Sequence, residues 1–208
     1  MKEKKILEQY INVHNQMIEK NGFTEKSLWG SKESQQLRFK IITEIFQSKS
    51  NFSILDVGCG LCNFFDYLCD NDFKDFNYTG LEINPQFVEK SKQIHPNIEI
   101  INGTIENLNF SNKWDYAVAS GIYNLGNSLE ETQNFFVQQF KQVFENVNIG
   151  FAVNFLSKYS ENKDNISVYH DPAVILNLCT THFSKYIKLY QNYLPHDFTV
   201  FVYKNKIY

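Results

Sequence analysis

Apolar residues recur every three or four positions at the start of the chain: Ile6, Tyr10, Val13 and Met17, with Leu7, Ile11 and Ile18 beside them. This spacing predicts an amphipathic helix over residues 2–20, ended by Asn21-Gly22. A polar loop carrying Trp29 leads to a second predicted helix, 32–47, with Leu37, Ile41 and Ile45 on one face. The pattern then changes to short apolar runs separated by helical stretches. Strands are expected at 52–57, 78–84, 97–102, 114–120 and 148–156. The intervening helix at 61–70 buries Leu61, Phe64, Phe65, Leu68 and Cys69. Asn84-Pro85 and Asp171-Pro172 each pair an N-cap residue with proline at the first helical position. Ser128 with Glu131 forms a capping-box pattern that opens a helix running to about Asn146. Two β-rich runs, KYIKLYQNYL and DFTVFVYKN, follow the helix that ends near His182.

Strands alternating with helices predict one α/β domain over residues 1–208, a doubly wound, mostly parallel seven-stranded sheet. The last two strands are close in sequence and are expected to form an antiparallel edge hairpin. Residues 1–50 stand apart as N-terminal helices, and 51–208 form the sheet-and-helix core. In such sheets a ligand binds at the carboxyl ends of the strands, near the switch in strand order. Four segments therefore converge: Asp56 to Gly60, Glu82 and Ile83, Gly103 to Ile105, and Ser120 to Asn124.

Composition narrows the function classes. Of 208 residues, 43% are hydrophobic and 21% charged, and the net charge is −3, so no basic surface for nucleic acid is evident. The first residues, MKEKKILEQY, lack the apolar stretch of a signal peptide, and no apolar run has the length of a membrane span. A soluble cytoplasmic protein is expected, with no membrane insertion. Cys59 and Cys62 make a CxxC, but no second pair or nearby histidine completes a zinc site, so reduced thiols and no metal are expected. The single arginine, Arg38, stands out in a chain whose other residues suggest an AT-rich codon bias.

The chemistry starts from the stretch SILDVGCGLCNF, residues 53–64. Gly58 and Gly60 allow a tight turn and close approach of a ligand. A dinucleotide fingerprint would need a third glycine at position 63, where Asn63 stands, and would seat pyrophosphate near Asp56 against Coulomb repulsion. A phosphate-free, positively charged ligand removes that conflict.

SILDVGCGLCNF, followed by YTGLEINP, INGTIENL and WDYAVASGIYNL, resembles the motif series of class I S-adenosylmethionine-dependent methyltransferases, over roughly residues 30–156. The resemblance implies a Rossmann-like methyltransferase fold with residues 1–50 capping the cofactor. It implies that Asp56, Gly58, Cys59 and Gly60 line the methionine part of S-adenosylmethionine. Glu82 would accept hydrogen bonds from both ribose hydroxyls, and Ile83 would pack on adenine. Thr104 stands where the family often has an aspartate that reads the adenine amino group. The Ile105 N–H would meet a ring nitrogen, and Ser120 and Gly121 would lie under the sulfonium. Arg38 is a candidate partner for the cofactor carboxylate. Two departures, Cys62 at the usual third glycine and Thr104 at the adenine acid, keep a catalytically degenerate cofactor-binding module open as an alternative.

The acceptor side is expected from Trp29, the loop Gly121-Ile122-Tyr123-Asn124 and a lid at 157–171, because so long a connection is often functional. His170 is the candidate general base, with Tyr159 and Tyr169 as weaker ones, and His196 also marks the acceptor side. His14 and His95 read as surface positions. The segments SGIYN, NFLSKY, YHDP and LPHDFTVFVYK are similar to bacterial methyltransferases found with surface-polysaccharide genes. That likeness implies a small or nucleotide-linked sugar acceptor, or a phosphoramidate or phosphate oxygen, in capsule biosynthesis.

Overall fold

The computed structural model describes residues 2–24, 31–111, 113–126 and 128–207, with side chains from Leu7 onward. Among these residues are six α-helices and seven strands. Helices α1 (Lys2–Asn21) and α2 (Lys32–Ile42) precede strand β1 (Ser50–Val57). Then follow α3 (Asn63–Asp70), β2 (Lys74–Glu82), α4 (Pro85–Ile94), β3 (Glu99–Asn102) and β4 (Trp114–Ser120). The chain continues through α5 (Leu129–Glu145), β5 (Val147–Leu156), α6 (Pro172–His182), β6 (Tyr186–Tyr190) and β7 (Asp197–Tyr203). The sheet order is β3-β2-β1-β4-β5-β7-β6. Strands β1 to β5 are parallel, and β7 runs antiparallel to both β5 and β6. The order reverses between β1 and β4, which opens a crevice at their carboxyl ends.

The side-chain period of two explains both core layers. On one face Leu55, Val57, Ala117, Phe151, Val153 and Val202 pack with Phe136 and Phe140 of α5 and Ile175 of α6. On the other face Ile54, Tyr116, Val118 and Phe201 pack with Phe39 of α2 and Phe64 and Leu68 of α3. The central strands are buried on both sides, hence their near-continuous apolar runs.

Proline and caps set the helix starts as expected. Asn84 Oδ1 accepts from Gln86 N at 2.9 Å, Ser128 Oγ from Glu131 N at 3.1 Å, and Asp171 Oδ1 from Ala173 N at 2.9 Å.

Several boundaries differ from the expectation. Helix α2 stops at Ile42 and tightens into a 3₁₀ turn over Thr43–Ile45, because Phe46 is extended at the end of a β-branched run. Helix α3 starts at Asn63, two residues late, because Cys62 is left-handed (φ 60°) and Cys59 to Cys62 form a turn. The closing hairpin is antiparallel, but β7 lies inside the sheet between β5 and β6, and all seven of its residues are buried. Only β6 is the edge strand at that side.

Helix α1 lies across the carboxyl edge of the sheet and is tied down on two sides. The Tyr10 hydroxyl donates to the Leu125 carbonyl at 2.7 Å. Asn15 Oδ1 accepts from Asn84 Nδ2 at 2.9 Å and from Gln86 Nε2 at 3.0 Å. Among the described residues no helix is long and apolar enough to cross a membrane.

Candidate active site

The loop after β1 is built by backbone bonds that its glycines permit. Gly58 N and Cys59 N both donate to the Leu81 carbonyl, at 2.7 and 3.1 Å. Gly58 has φ +75°, and a Cβ there would stand 2.3 Å from Ile122 Cγ2, so a side chain at 58 would collide with the loop after β4. Glu82, at the end of β2, closes the loop from the other side. Its Oε2 accepts from Gly60 N at 2.9 Å and its Oε1 from Asn84 N at 2.8 Å. Ser91 Oγ donates to the Gly60 carbonyl at 2.9 Å, which fixes the loop against α4.

Above this loop is a cavity of about 530 Å³. The first shared wall is the glycine loop with Asp56, Cys59 and Glu82. Ile83, Thr104, Ile105 and Ser120 complete the strand-end side. Arg38, Gly121, Ile122, Asn124, Tyr169 and His196 line it as well, so the cavity gathers most of the residues singled out from the sequence. Others do not reach it. Trp29 lies outside the described residues.

The expectation that His170 is the base is corrected by its surroundings. It is fully buried, its Nε2 is 2.8 Å from the Tyr123 carbonyl, and its ring packs on Phe155 at 5.0 Å. Burial pushes its pKa down to about 4, so it is a neutral core histidine away from the cavity wall. Tyr123 is likewise core: it is fully buried among Phe135, Phe136, Phe140 and Phe155. Tyr159 points to solvent, 60% exposed, with Lys158 over its ring.

Other residues hold roles that pattern alone did not give. Arg38 Nε pairs with the buried Asp197 at the start of β7, so this arginine is already engaged by a carboxylate of the chain. His196 Nε2 is 3.8 Å from the same Asp197 oxygen. Thr104 Oγ1 and N both donate to Asn107 Oδ1, at 3.2 and 2.8 Å, which shapes the turn after β3. Tyr169 folds back on Asp164, its hydroxyl accepting from Asp164 N at 3.0 Å.

The cavity also takes Tyr10, His14 and Gln35 from the two N-terminal helices and Asn63 from α3. His14 faces inward, edge-on to Phe87, contrary to the surface position expected for it; burial lowers its pKa. Its helical phase with Tyr10 and Ile18, both buried, was the signal available in the sequence.

Two electrostatic facts define the site. Asp56 is buried, with its Oδ2 accepting from the Tyr78 hydroxyl at 2.5 Å. Burial pushes its pKa up to about 7, against the pull of that hydrogen bond. Burial also raises Glu82, opposed by its backbone N–H donors. The second fact is a set of buried polar atoms without partners: His14 Nδ1, Gln35 Nε2, Asn63 Oδ1 and Ser120 Oγ, all on residues of the cavity wall. Unpaired buried polar atoms each cost about 1–3 kcal/mol, so four in one cavity point to a polar occupant.

Comparison with known proteins agrees with this geometry. A family model described as a methyltransferase domain matches residues 54–146, from the middle of β1 to the end of α5. Over that stretch the chain is similar to a methyltransferase domain. The "Putative methyltransferase Rv1506c" of Mycobacterium tuberculosis is 29% identical over 170 residues, covering 77% of this chain and 98% of that one. Among solved structures, the magnesium protoporphyrin IX methyltransferase of Synechocystis PCC 6803 with bound SAH has a TM-score of 0.62 at 9% identity, covering 83% of this chain and 84% of its own. The DhpI-SAM-HEP complex has a TM-score of 0.66 at 8% identity, covering 94% and 96%. These structures share the Rossmann-like methyltransferase fold with this chain.

Proposed function

We propose that the protein is an S-adenosylmethionine-dependent methyltransferase acting on an oxygen of a small, polar acceptor. The observation that carries the reading is the pair of buried carboxylates, Asp56 and Glu82, facing one cavity beside a glycine loop. A phosphorylated ligand would meet repulsion there, whereas a ribose-bearing, cationic ligand suits both acids. The unpaired atoms of Gln35, Asn63 and Ser120 supply donors and acceptors for an amino-acid head group.

S-adenosylmethionine supplies a methyl group already activated on a sulfonium sulfur. The chain's residues align and enclose. Glu82 holds ribose hydroxyls while its other lone pairs keep Gly60 and Asn84 in place. Gly58 and Gly60 let the ligand approach the backbone, and Ile83 and Ile105 give the apolar walls for adenine. In this reading residues 1–50 cap the cofactor and 157–171 close over the acceptor, so water is excluded and proximity supplies much of the rate.

The acceptor end carries Asn124, Asp164, Tyr169 and His196, a polar lining that suits a sugar-like or nucleotide-linked molecule, as does a phosphoramidate or phosphate oxygen of a capsule precursor. For a hydroxyl acceptor His196 takes the role first sought in His170. It lines the cavity, with its Nε2 3.8 Å from the Asp197 carboxylate at the start of β7.

The test is calorimetry with S-adenosylmethionine and S-adenosylhomocysteine, with NADH as control, followed by a screen of sugar nucleotides and phosphoramidates for S-adenosylhomocysteine release. Micromolar binding of both adenosyl ligands and none of NADH is expected. NADH binding with no adenosyl binding would overturn the reading. With an acceptor in hand, His196→Gln should lower kcat more than tenfold and leave S-adenosylhomocysteine affinity unchanged.

A further inference from the structure

The CxxC of the glycine loop has a geometry that the methyl-transfer reading does not use. Cys59 and Cys62 occupy the first and fourth positions of a turn closed by Cys62 N donating to the Cys59 carbonyl at 2.8 Å. A turn of this kind keeps its end Cα atoms within about 7 Å, which overlaps the separation a disulfide spans. Both thiols are buried in this turn. Cys62 holds a left-handed conformation, φ 60°, at a position where a glycine would sit without strain, and it offers the following helix no side-chain cap. Its fold role is therefore better served by another residue. Cys59 differs from its partner in one respect: it lines the cavity, while Cys62 is fully buried beneath it. Its sulfur also fills the space over Gly80, where an added Cβ would lie 2.7 Å away.

We propose that Cys59 and Cys62 form a reversible disulfide within the glycine loop, that an oxidant reaches Cys59 only through the cavity, and that closing the bond withdraws the loop from the cofactor. The step balances by thiol–disulfide exchange with a low-molecular-weight disulfide such as oxidised glutathione. The Cys59 thiolate attacks one sulfur and expels one glutathione thiolate. The Cys62 thiolate then attacks the Cys59 sulfur of the mixed disulfide and expels the second. Two cysteine protons pass to two glutathione thiolates, and the protein is oxidised by two electrons.

The 530 Å³ cavity gives room for the mixed disulfide when nothing occupies it. Bringing the sulfurs to a bond of about 2.05 Å tightens the turn that carries Gly60 N, the donor to Glu82. The hydrogen bond with Cys62 and burial push the Cys59 thiol well up, so exchange is slow and is read at equilibrium. The protective role of the cofactor rests on the function proposed above; the disulfide itself does not.

The experiment equilibrates the Cys69→Ser protein, which lacks the exposed thiol, over a range of glutathione redox ratios, with and without saturating S-adenosylhomocysteine. Acid quenching and intact-mass measurement follow. A species lighter by about 2 Da, with peptide mapping to a Cys59–Cys62 bond, is expected without ligand. Saturating ligand should move its midpoint to more oxidising ratios, and the oxidised protein should bind S-adenosylhomocysteine at least tenfold more weakly until dithiothreitol restores it. Cys62→Gly, which suits the left-handed backbone, should abolish the lighter species. Thiols that stay reduced at every ratio, or glutathione adducts without the internal bond, would overturn the proposal. An equal midpoint with ligand bound would overturn the gating. If the reduced protein binds no S-adenosylhomocysteine, the cofactor assignment fails, and the mass measurement still decides the disulfide.

Discussion

Replacing Glu82 tests the site at its most connected residue. The carboxylate is 5% exposed and holds two backbone donors, Gly60 N at 2.9 Å and Asn84 N at 2.8 Å. Glu82→Ala leaves both N–H groups without acceptors, at about 1–3 kcal/mol each when buried. Water entering from the cavity recovers part of this, so a stability loss of about 2 kcal/mol is expected. Binding loses more. Two ribose hydroxyls donating to a charged acceptor contribute about 1.5 kcal/mol apiece, so affinity should fall by about 3 kcal/mol, roughly 150-fold. Calorimetry with S-adenosylhomocysteine and its 2′-deoxy analogue separates direct contact from loop disorder. The wild-type protein should discriminate between the two by about tenfold, and Glu82→Ala should not discriminate at all. A folded Glu82→Ala protein that binds S-adenosylhomocysteine within threefold of wild type would refute the reasoning, as would discrimination that survives the substitution.

Other consequences follow from the same contacts. Asp56, raised from 3.8 to about 7 by burial, binds its proton more tightly folded than unfolded, so its contribution to stability is full below about pH 4 and is lost as pH rises to about 7. Asp56→Asn should flatten that part of a denaturation-versus-pH series. A cationic ligand favours the ionised acid, so S-adenosylmethionine affinity should rise with pH through about 7 with proton release, visible as buffer-dependent binding heats. Tyr78→Phe removes the hydroxyl that holds the Asp56 pKa down, and the midpoint of that profile should move to higher pH. His170→Ala leaves the Tyr123 carbonyl unpaired and should cost about 2 kcal/mol in urea denaturation, with cofactor affinity unchanged.

The architecture was legible because periodicity reports burial. The parallel strands are buried on both faces and read as apolar runs; the capped helices announce themselves through Asn84-Pro85, Ser128 and Asp171-Pro172. The strand-end residues that line the cavity were legible for the same reason, since a residue that ends a parallel strand must lie at the crevice. What failed was any residue whose role depends on contacts far along the chain. His170 looked chemical because it precedes an N-cap in a long connection, yet its ring is committed to the Tyr123 carbonyl 47 residues away. Arg38 is matched by Asp197, 159 residues later, a pairing no local pattern contains. The interior position of β7 was hidden because sequence adjacency suggests a hairpin and says nothing about which arm faces the sheet.

That placement governs the order of assembly during synthesis. Strand β7 leaves the ribosome after every other described strand, yet it bridges β5 to the edge strand and supplies the carboxylate that fixes Arg38. A nascent chain that has emerged only through residue 190 has β6 with no neighbour to pair with and β5 with one side open. Its exposed edge is apolar along Phe151 to Phe155, the kind of strand edge that pairs with other chains. The Arg38 and His196 side of the cavity is completed in the same event as the sheet, so docking of β7 closes the aggregation-prone edge and that cavity wall in one step.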